Sequence, residues 1–417
     1  MILAALAILL AGAGLSARIG GALRIPVAAA FGLGAWSAVY AFALLLGVPL
    51  FAAEIALAIA GALLLAQAAS RKPQAVSAPV PAWLWLFFAS SCALATAVIV
   101  EHTLRFPDGG YDAWMIWNAR ARFLVRAADW RTAFSPDLLF WLHTDYPWLL
   151  PGVVAQAFAL LHTESLAVPA VISWIFGALT VAVLTLALAR LRGLRWGLLG
   201  GLALATTPCF ATFSANQQSD VPLGVFFLIA CVLIEEDLLL LAGFAAGLGA
   251  WSKNEGLLYL ACLAVALRRP RAIRLFLLGS APLLLLLLLF KLKLPVRNDL
   301  VAFSTPAALL GRALDLRRWG ELILITLRRV VFFQDFALWV VAELLLLLFV
   351  VRKLPRTVLG TALFLACAAY APIYVLQPHP LEWIFRTSVD RIFIQVWPAA
   401  ILATLLAIVP APATART

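Results

Sequence analysis

The sequence is organised around residues 109–152, which read GGYDAWMIWNARARFLVRAADWRTAFSPDLLFWLHTDYPWLLPG. This stretch is the longest polar interval in a strongly hydrophobic chain, and it combines aspartates, arginines and many aromatic residues. On both sides of it, apolar runs of roughly 20 residues recur, which is the length that a helix needs to cross the hydrocarbon core of a bilayer. The pattern predicts a multi-pass membrane protein with a large loop at one membrane face.

The composition excludes a soluble protein. Of 417 residues, 65% are hydrophobic and 12% are charged, whereas an average soluble domain carries roughly a quarter charged residues. Because the apolar runs are continuous rather than alternating, they predict helices and not the strands of a membrane barrel. We therefore expect an all-α polytopic protein with about 13 transmembrane helices.

The net charge of +11 raises the question of nucleic acid as a partner. The basic residues lie in short clusters between apolar runs and not on one soluble face, so membrane topology and anionic lipid explain them better. The five cysteines fall within apolar runs, without the paired spacing of a metal site or a disulfide framework. Since His102 and His143 also lack helix-period ligand spacing, we expect no cofactor; the alternative is a divalent metal ion beside these histidines.

The apolar runs divide the chain into an N-terminal and a main part. Residues 1–82 hold N-terminal transmembrane helices and a cytoplasmic linker, with a break at 47–49 inside the block 26–69. Residues 83–409 form the main transmembrane module, with an external loop at about 102–165, and residues 410–417 form a cytoplasmic tail. After the loop, spans are predicted at 167–189, 196–213, 221–252 (two helices), 256–267, 275–294, 328–351, 357–376 and 392–409.

The charges of the short loops orient these spans. Basic clusters at 190–195, 268–274 and 352–356 all fall on one side, which the positive-inside tendency assigns to the cytoplasm. The large loop then faces the exterior. Its own arginines do not overturn this orientation because the tendency weakens for long loops.

Two helices are predicted inside the loop. Residues 113–130 show an apolar stripe at three- and four-residue spacing, with Arg120, Arg122 and Arg126 off the stripe. Such a helix should lie in the membrane interface with its tryptophans at headgroup level. A second helix is predicted to start at Pro147, capped by Thr144 or Asp145.

Three aspartates of this region are candidates for acid–base chemistry. Asp112 lies at the start of the first loop helix and faces outward, although an aspartate there also fits an N-cap. Asp108 precedes two glycines and fits a turn residue, and Asp145 fits a helix cap. The residues alone leave the choice among the three open.

Two distant segments carry the charges that suit an anionic ligand. WSKNEG at 251–256 interrupts two apolar runs, and its Lys253 and Glu255 either face a polar cavity, pair with loop charges or snorkel from a helix end. Near the C-terminus, Arg386 and Arg391 suit a phosphate group, although they could equally anchor the helix at the interface. The sequence has no Asp-x-Asp motif and no P-loop, which argues against a nucleotide-sugar or ATP-dependent enzyme.

Four motifs, in this order, carry a resemblance to a known superfamily. They are DGGYDAWMIWNARARF, HTDYPWLLPG, WSKNEGL and HPLEWIFRTSVDRIFIQVWP. Together they resemble the GT-C superfamily of membrane glycosyltransferases, and in particular bacterial relatives of the dolichyl-phosphate-mannose protein mannosyltransferases and of the lipid A aminoarabinose transferases. The resemblance covers roughly residues 83–409.

The resemblance implies a polyprenyl-phosphate sugar as donor and transfer to a membrane lipid or glycan acceptor at the outer face of a bacterial inner membrane. It gives Asp112 the role of the base, with Asp108 and Asp145 as alternatives because the sequence lacks the adjacent acidic pair of the protein mannosyltransferases. Arg386, Arg391 and Lys253 would bind the donor phosphate. Further candidate site residues are His143, Tyr146 and Glu255.

Two other classes of protein fit parts of the sequence. A transporter or lipid flippase would use the intramembrane charges Lys253 and Glu255, but has no need of an aspartate-bearing external loop. A non-catalytic assembly scaffold would tolerate the loss of every loop aspartate.

Overall fold

A computed structural model describes residues 2–67, 79–298, 302, 304–332 and 357–410. All regular secondary structure in these ranges is helical, which confirms the predicted all-α fold class. By length and composition, six of the described helices can cross a membrane, or seven if one bent pair counts as a single span. Shorter apolar helices of 10–17 residues accompany them, so the multi-pass prediction is confirmed, while several of the 13 expected spans are shorter than a full crossing.

The N-terminal helices are α1 (Ile2–Leu15), α2 (Arg24–Leu46) and α3 (Leu50–Ala66). The predicted break at 47–49 is confirmed: Gly47 ends α2 in the left-handed conformation, with φ 69°, and Pro49 precedes α3. Most of the predicted linker, at 68–78, lies outside the described residues.

Helix α4 (Ala82–Arg105) leads into the large loop. The loop contains a π-helical turn (Ala113–Trp117), α5 (Asn118–Arg126), two 3-10 turns (Trp130–Phe134 and Pro136–Leu138), α6 (Leu139–Leu142) and α7 (Leu149–Leu161). The predicted continuous helix over 113–130 is wrong at its C-terminal end. Asp129 accepts a hydrogen bond from the backbone N–H of Arg131 and starts a separate turn, which is the capping role that aspartate favours.

The second loop helix, α7, begins at Leu149 and not at Pro147. Trp148 occupies its N-cap without a side-chain hydrogen bond, so the predicted caps Thr144 and Asp145 are wrong. Asp145 instead accepts hydrogen bonds from residues of other segments, as described below.

The main module continues with α8 (Ala167–Arg192), α9 (Leu194–Ala205), α10 (Pro208–Ala215), α11 (Asp220–Glu235), α12 (Leu239–Ser252), α13 (Asn254–Ala266), α14 (Pro270–Lys293), α15 (Pro306–Leu314), α16 (Leu316–Phe332), α17 (Val358–Leu376) and α18 (Leu381–Ile408). The predicted span 196–213 is broken into α9 and α10, which bend by 69°. The predicted pair of helices in 221–252 is confirmed, and most of the span predicted at 328–351 lies outside the described residues.

Helix α11 lies at the centre of the bundle. Every residue from Asp220 to Ile234 is buried, and the helix packs against α8, α12 and α18. A helix that is apolar on all sides is typical of such a central position. Its first residue, Asp220, therefore carries a carboxylate into the protein interior.

The two ends of the bundle differ in their charges. At one end, Arg190 forms an ion pair with Glu236 at 2.5 Å, Arg192 donates to the carbonyl of Val409, and Arg268 lines a cleft beside Asp237. The loop and Asp220 lie at the other end. The basic clusters at 190–195 and 268–274 thus share the end opposite the loop, as the charge pattern predicts, and the cluster at 352–356 lies outside the described residues.

Candidate active site

Arg120 holds the second half of the loop together. Its guanidinium is fully buried and donates to the carbonyls of Leu142, His143 and Tyr146 at 2.6–2.9 Å. Burial lowers the pKa of Arg120 to about 10, while the nearby Asp145 carboxylate acts in the opposite direction. Arg120 is off the apolar stripe of the sequence and is nevertheless buried, because the loop folds over this face of α5.

The tryptophans of the helix predicted at 113–130 were expected to contact lipid headgroups, and for one of them the structure corrects this. Trp117 is fully buried and stacks on Tyr146 with a ring separation of 5.5 Å. Trp148, also fully buried, contacts the rings of Trp251 and Phe290 in the bundle. Trp114 remains 44% exposed. These rings attach the loop to the helices beneath it, which fixes the position of the loop aspartates.

A glycine turn places Asp112 over the start of α11. Gly109 has φ +79°, and a Cβ there would lie 2.6 Å from the carbonyl oxygen of Asn216. The N–H of Gly110 donates to that same carbonyl at 3.1 Å, and the side chain of Asn216 bonds to His102 at 2.7 Å. Close backbone approach of this kind requires glycine.

The segment between α10 and α11 receives this turn. Gln217 adopts the left-handed conformation, with φ 56°, and its side chain donates to the carbonyl of Pro107 and accepts from Asn118. Its backbone N–H donates to Ser173. One residue therefore connects the loop, α5 and α8 immediately before Asp220, a role that no sequence motif indicates.

Five charged side chains form a continuous series at this end of the bundle, which we call the charge chain: Asp112, Arg391, Asp220, Lys253 and Glu255. Arg391 lies 2.5 Å from Asp112 and 3.2 Å from Asp220. Lys253 lies 2.9 Å from Asp220 and 2.9 Å from Glu255. Opposite charges alternate along the series, so each cation lies between two carboxylates.

The middle of the charge chain is buried and its ends are partly open. The side chain of Asp220 is 0% exposed and that of Lys253 is 3% exposed, whereas Asp112 and Glu255 are 23% and 21% exposed. Asp220 also accepts a hydrogen bond from Gln395 at 2.5 Å, and Gln395 in turn accepts from Tyr259. The buried charge is thus paired and hydrogen-bonded, as a buried carboxylate must be.

The sequence predictions missed Asp220. An aspartate at the first position of an apolar helix fits an ordinary cap, and in the sequence it stands only one residue before a predicted span. The one available signal is that a charge at a span end is costly unless it has a partner. Lys253, a span-end charge 33 residues further on, is such a partner.

Asp145 belongs to a second, separate cluster. Its side chain accepts from Asn254 at 2.7 Å and from Asn298 at 2.9 Å, and Lys291 lies 3.7 Å from it. Because Lys253 has extended backbone angles, with φ −162° and ψ 155°, successive side chains there point in opposite directions. Lys253 therefore reaches Asp220, while Asn254 reaches Asp145.

The remaining predicted site residues lie at different distances from the charge chain. Tyr146 lies beneath Lys253, with the ammonium 5.8 Å from the ring centre, and His143 stacks on Tyr146. Asp108 is exposed and lines a surface cleft beside Arg105. Arg386 is also exposed, and five residues along a helix place it on a different face from Arg391. The structure therefore brings together Asp112, Arg391, Lys253 and Glu255, but neither Asp108 nor Arg386.

No metal site is formed by the described residues, since they contain no group of three His, Cys, Asp or Glu side chains that could hold an ion. Of the two histidines considered for a metal, His102 bonds to Asn216 and His143 packs on Tyr146. Arg391 and Lys253 of the charge chain are cations of the kind that suits a phosphate.

Residues 145–296 match the family model of the dolichyl-phosphate-mannose-protein mannosyltransferases. The matched region contains Asp145, Asp220, Lys253 and Glu255, and candidate membrane spans lie within it and on both sides of it. The match and the architecture together support a membrane glycosyltransferase of the GT-C type, in agreement with the sequence motifs. No curated protein and no solved structure matched the sequence in two further comparisons.

Proposed function

We propose that the protein transfers a sugar from a polyprenyl-phosphate donor to a lipid or glycan acceptor at the external membrane face, with Asp112 as the base. The observation that carries the proposal is the direct contact between Asp112 and Arg391, which are 279 residues apart in the chain. It unites in one site a carboxylate suited to proton transfer and a guanidinium suited to phosphate.

Each step of the transfer can be assigned to a side chain of this site. An acceptor hydroxyl attacks the anomeric carbon of the donor sugar and gives its proton to the carboxylate of Asp112. The bond between that carbon and the phosphate oxygen breaks, and its electron pair stays on the polyprenyl phosphate. Arg391 and Lys253 stabilise the added negative charge, which is the electrostatic contribution expected of fixed cations at a leaving group.

The location of the charge chain suits a lipid-linked donor. It lies at the end of the bundle where α4 passes into the loop, so a phosphate at the membrane surface can reach it while the polyprenyl chain stays in the bilayer. Holding the donor and the acceptor against one rigid surface converts an encounter into a positioned reaction. The basic clusters at the opposite end support the external orientation.

The test is a transfer assay with the full chain in lipid nanodiscs. A polyprenyl-phosphate donor with a radiolabelled sugar is incubated with a membrane lipid extract, and the label is followed into new products. We expect Asp112→Asn to lower transfer by about 10²- to 10⁴-fold, the contribution of a positioned base. The matched control is Asp129→Asn, which removes the same charge from the same loop and retains a side chain that can cap the following turn.

Two results would contradict the proposal. One is transfer by Asp112→Asn at the rate of the wild-type protein and of Asp129→Asn. The other is movement of intact donor across the membrane without any release of the sugar, which is the behaviour of a flippase.

A further inference from the structure

The two edges of the Arg391 guanidinium meet carboxylates of different character. Its Nε lies 3.2 Å from Oδ2 of Asp220, and its Nη1 lies 2.5 Å from Oδ2 of Asp112. Asp220 is fully buried and is also bound by Lys253 and Gln395. Asp112 is partly exposed and lies on a loop. One contact of Arg391 is thus built into the bundle, and the other is at its surface.

Both cations of the charge chain are already paired with carboxylates. The charge chain contains three carboxylates and two cations, and both cations are paired on two sides. A phosphate that binds across both terminal nitrogens of Arg391 must displace a carboxylate. Breaking a buried ion pair is far more costly than breaking a partly exposed one, so the carboxylate that leaves is Asp112 and not Asp220.

We propose that Asp220 is a positioning residue that holds Arg391 through Nε, while Nη1 exchanges from Asp112 to the phosphate of the donor. This inference rests on the proposed function. The exchange moves Asp112 off the guanidinium and frees its carboxylate to accept the proton of the acceptor. The base therefore becomes available only once the donor is bound, which makes the donor the first substrate to bind.

The inference predicts opposite effects from two changes that remove the same charge. Asp112→Asn removes the competitor of the phosphate, so binding should tighten by about 2- to 5-fold, which corresponds to a partly exposed ion pair. Asp220→Asn loosens Arg391, so binding should weaken by about tenfold. If only the electrostatic field at the cations mattered, binding of the phosphate would tighten in both variants, because each variant loses a negative charge near the same cations.

The experiment measures binding of a polyprenyl monophosphate, without sugar, to the full chain in nanodiscs at fixed pH and salt concentration. Asp129→Asn serves as the charge-matched control and should bind as the wild-type protein does. If Asp220→Asn fails to fold, Gln395→Met replaces it, since it removes a hydrogen bond to Asp220 without changing any charge; it should weaken binding several-fold.

The outcomes separate the two proposals. Absence of binding by the wild-type protein would overturn the proposed function and this inference together. Binding by the wild-type protein with unchanged or weaker binding by Asp112→Asn would overturn the exchange alone. Unchanged or tighter binding by a folded Asp220→Asn, or by Gln395→Met in its place, would overturn the positioning role.

Discussion

At the scale of single residues, the stability of the site depends on Asp220. This carboxylate is fully buried and neutralises two cations that come from different helices, Lys253 from the break before α13 and Arg391 from α18. A buried pair is weak evidence for net stabilisation, but the removal of one partner leaves an uncompensated charge in the interior. The loss of Asp220 removes the buried partner of both cations and leaves each with only a partly exposed carboxylate.

We therefore expect Asp220→Leu to lower the free energy of unfolding by about 3–5 kcal/mol. Thermal unfolding of the purified protein in detergent measures the loss. Adding Lys253→Met should recover part of it, because the replacement of both partners by apolar groups is often close to neutral. A cost below about 1 kcal/mol for the single change, within the range of exposed pairs, would show that the cations do not depend on Asp220.

At the scale of elements, the site is assembled by the contact between the turn at 107–110 and the segment at 216–218. The turn determines where Asp112 lies, and the segment determines where α11 begins. Neither is stabilised by its own hydrogen bonds alone, because Gln217 reaches back to Pro107 and Gly110 donates to Asn216. The position of Asp112 over Asp220 therefore depends on the contact between this turn and this segment.

Gly109→Ala is expected to lower sugar transfer by about 10- to 100-fold, since a displacement of about 1 Å at a reacting group has such an effect. The new Cβ would meet the backbone of Asn216 and push the turn away from α11. Gly21→Ala is the matched control: Gly21 has a similar φ of +67° but open space around it. It measures the cost of the backbone conformation without the clash.

The prediction concerns transfer and not overall folding. Both alanine variants should therefore be compared at equal amounts of folded protein, judged by size-exclusion chromatography. Equal loss of transfer in the two variants would show that backbone strain, and not the contact with Asn216, is responsible.

At the scale of the whole molecule, the fold class was predictable and the site only in part. Continuous apolar runs predict an all-helical membrane protein, and charges next to these runs, such as Arg391 and Lys253, are easily recognised. Asp220 does not stand out, because a cap and a buried partner look alike in a sequence. The burial of Arg120 could not be predicted, because an amphipathic stripe does not show that a loop will cover the polar face of the helix. The partners of Arg120 are backbone carbonyls, and residue types do not indicate which carbonyls will be available.

The separation of the two bundle ends predicts the topology. Single cysteines placed at the exposed positions Asp129 and Arg271, in a variant without the native cysteines, should react with a membrane-impermeant thiol reagent from opposite sides, Asp129 from the exterior. The basic clusters near Arg271 favour the cytoplasm. Labelling of both positions from the same side, or of position 129 from the cytoplasm, would contradict the orientation.

The break between α12 and α13 has a mechanical consequence. Lys253 and Asn254 are neighbours in the chain, yet Lys253 contacts the central helix through Asp220 and Asn254 contacts the large loop through Asp145. A tilt of α13 must therefore pull on both at once. The loop and the bundle should therefore move together when α13 tilts. Exchanging the residues at positions 253 and 254 would break the contact to Asp220 and the contact to Asp145 at once.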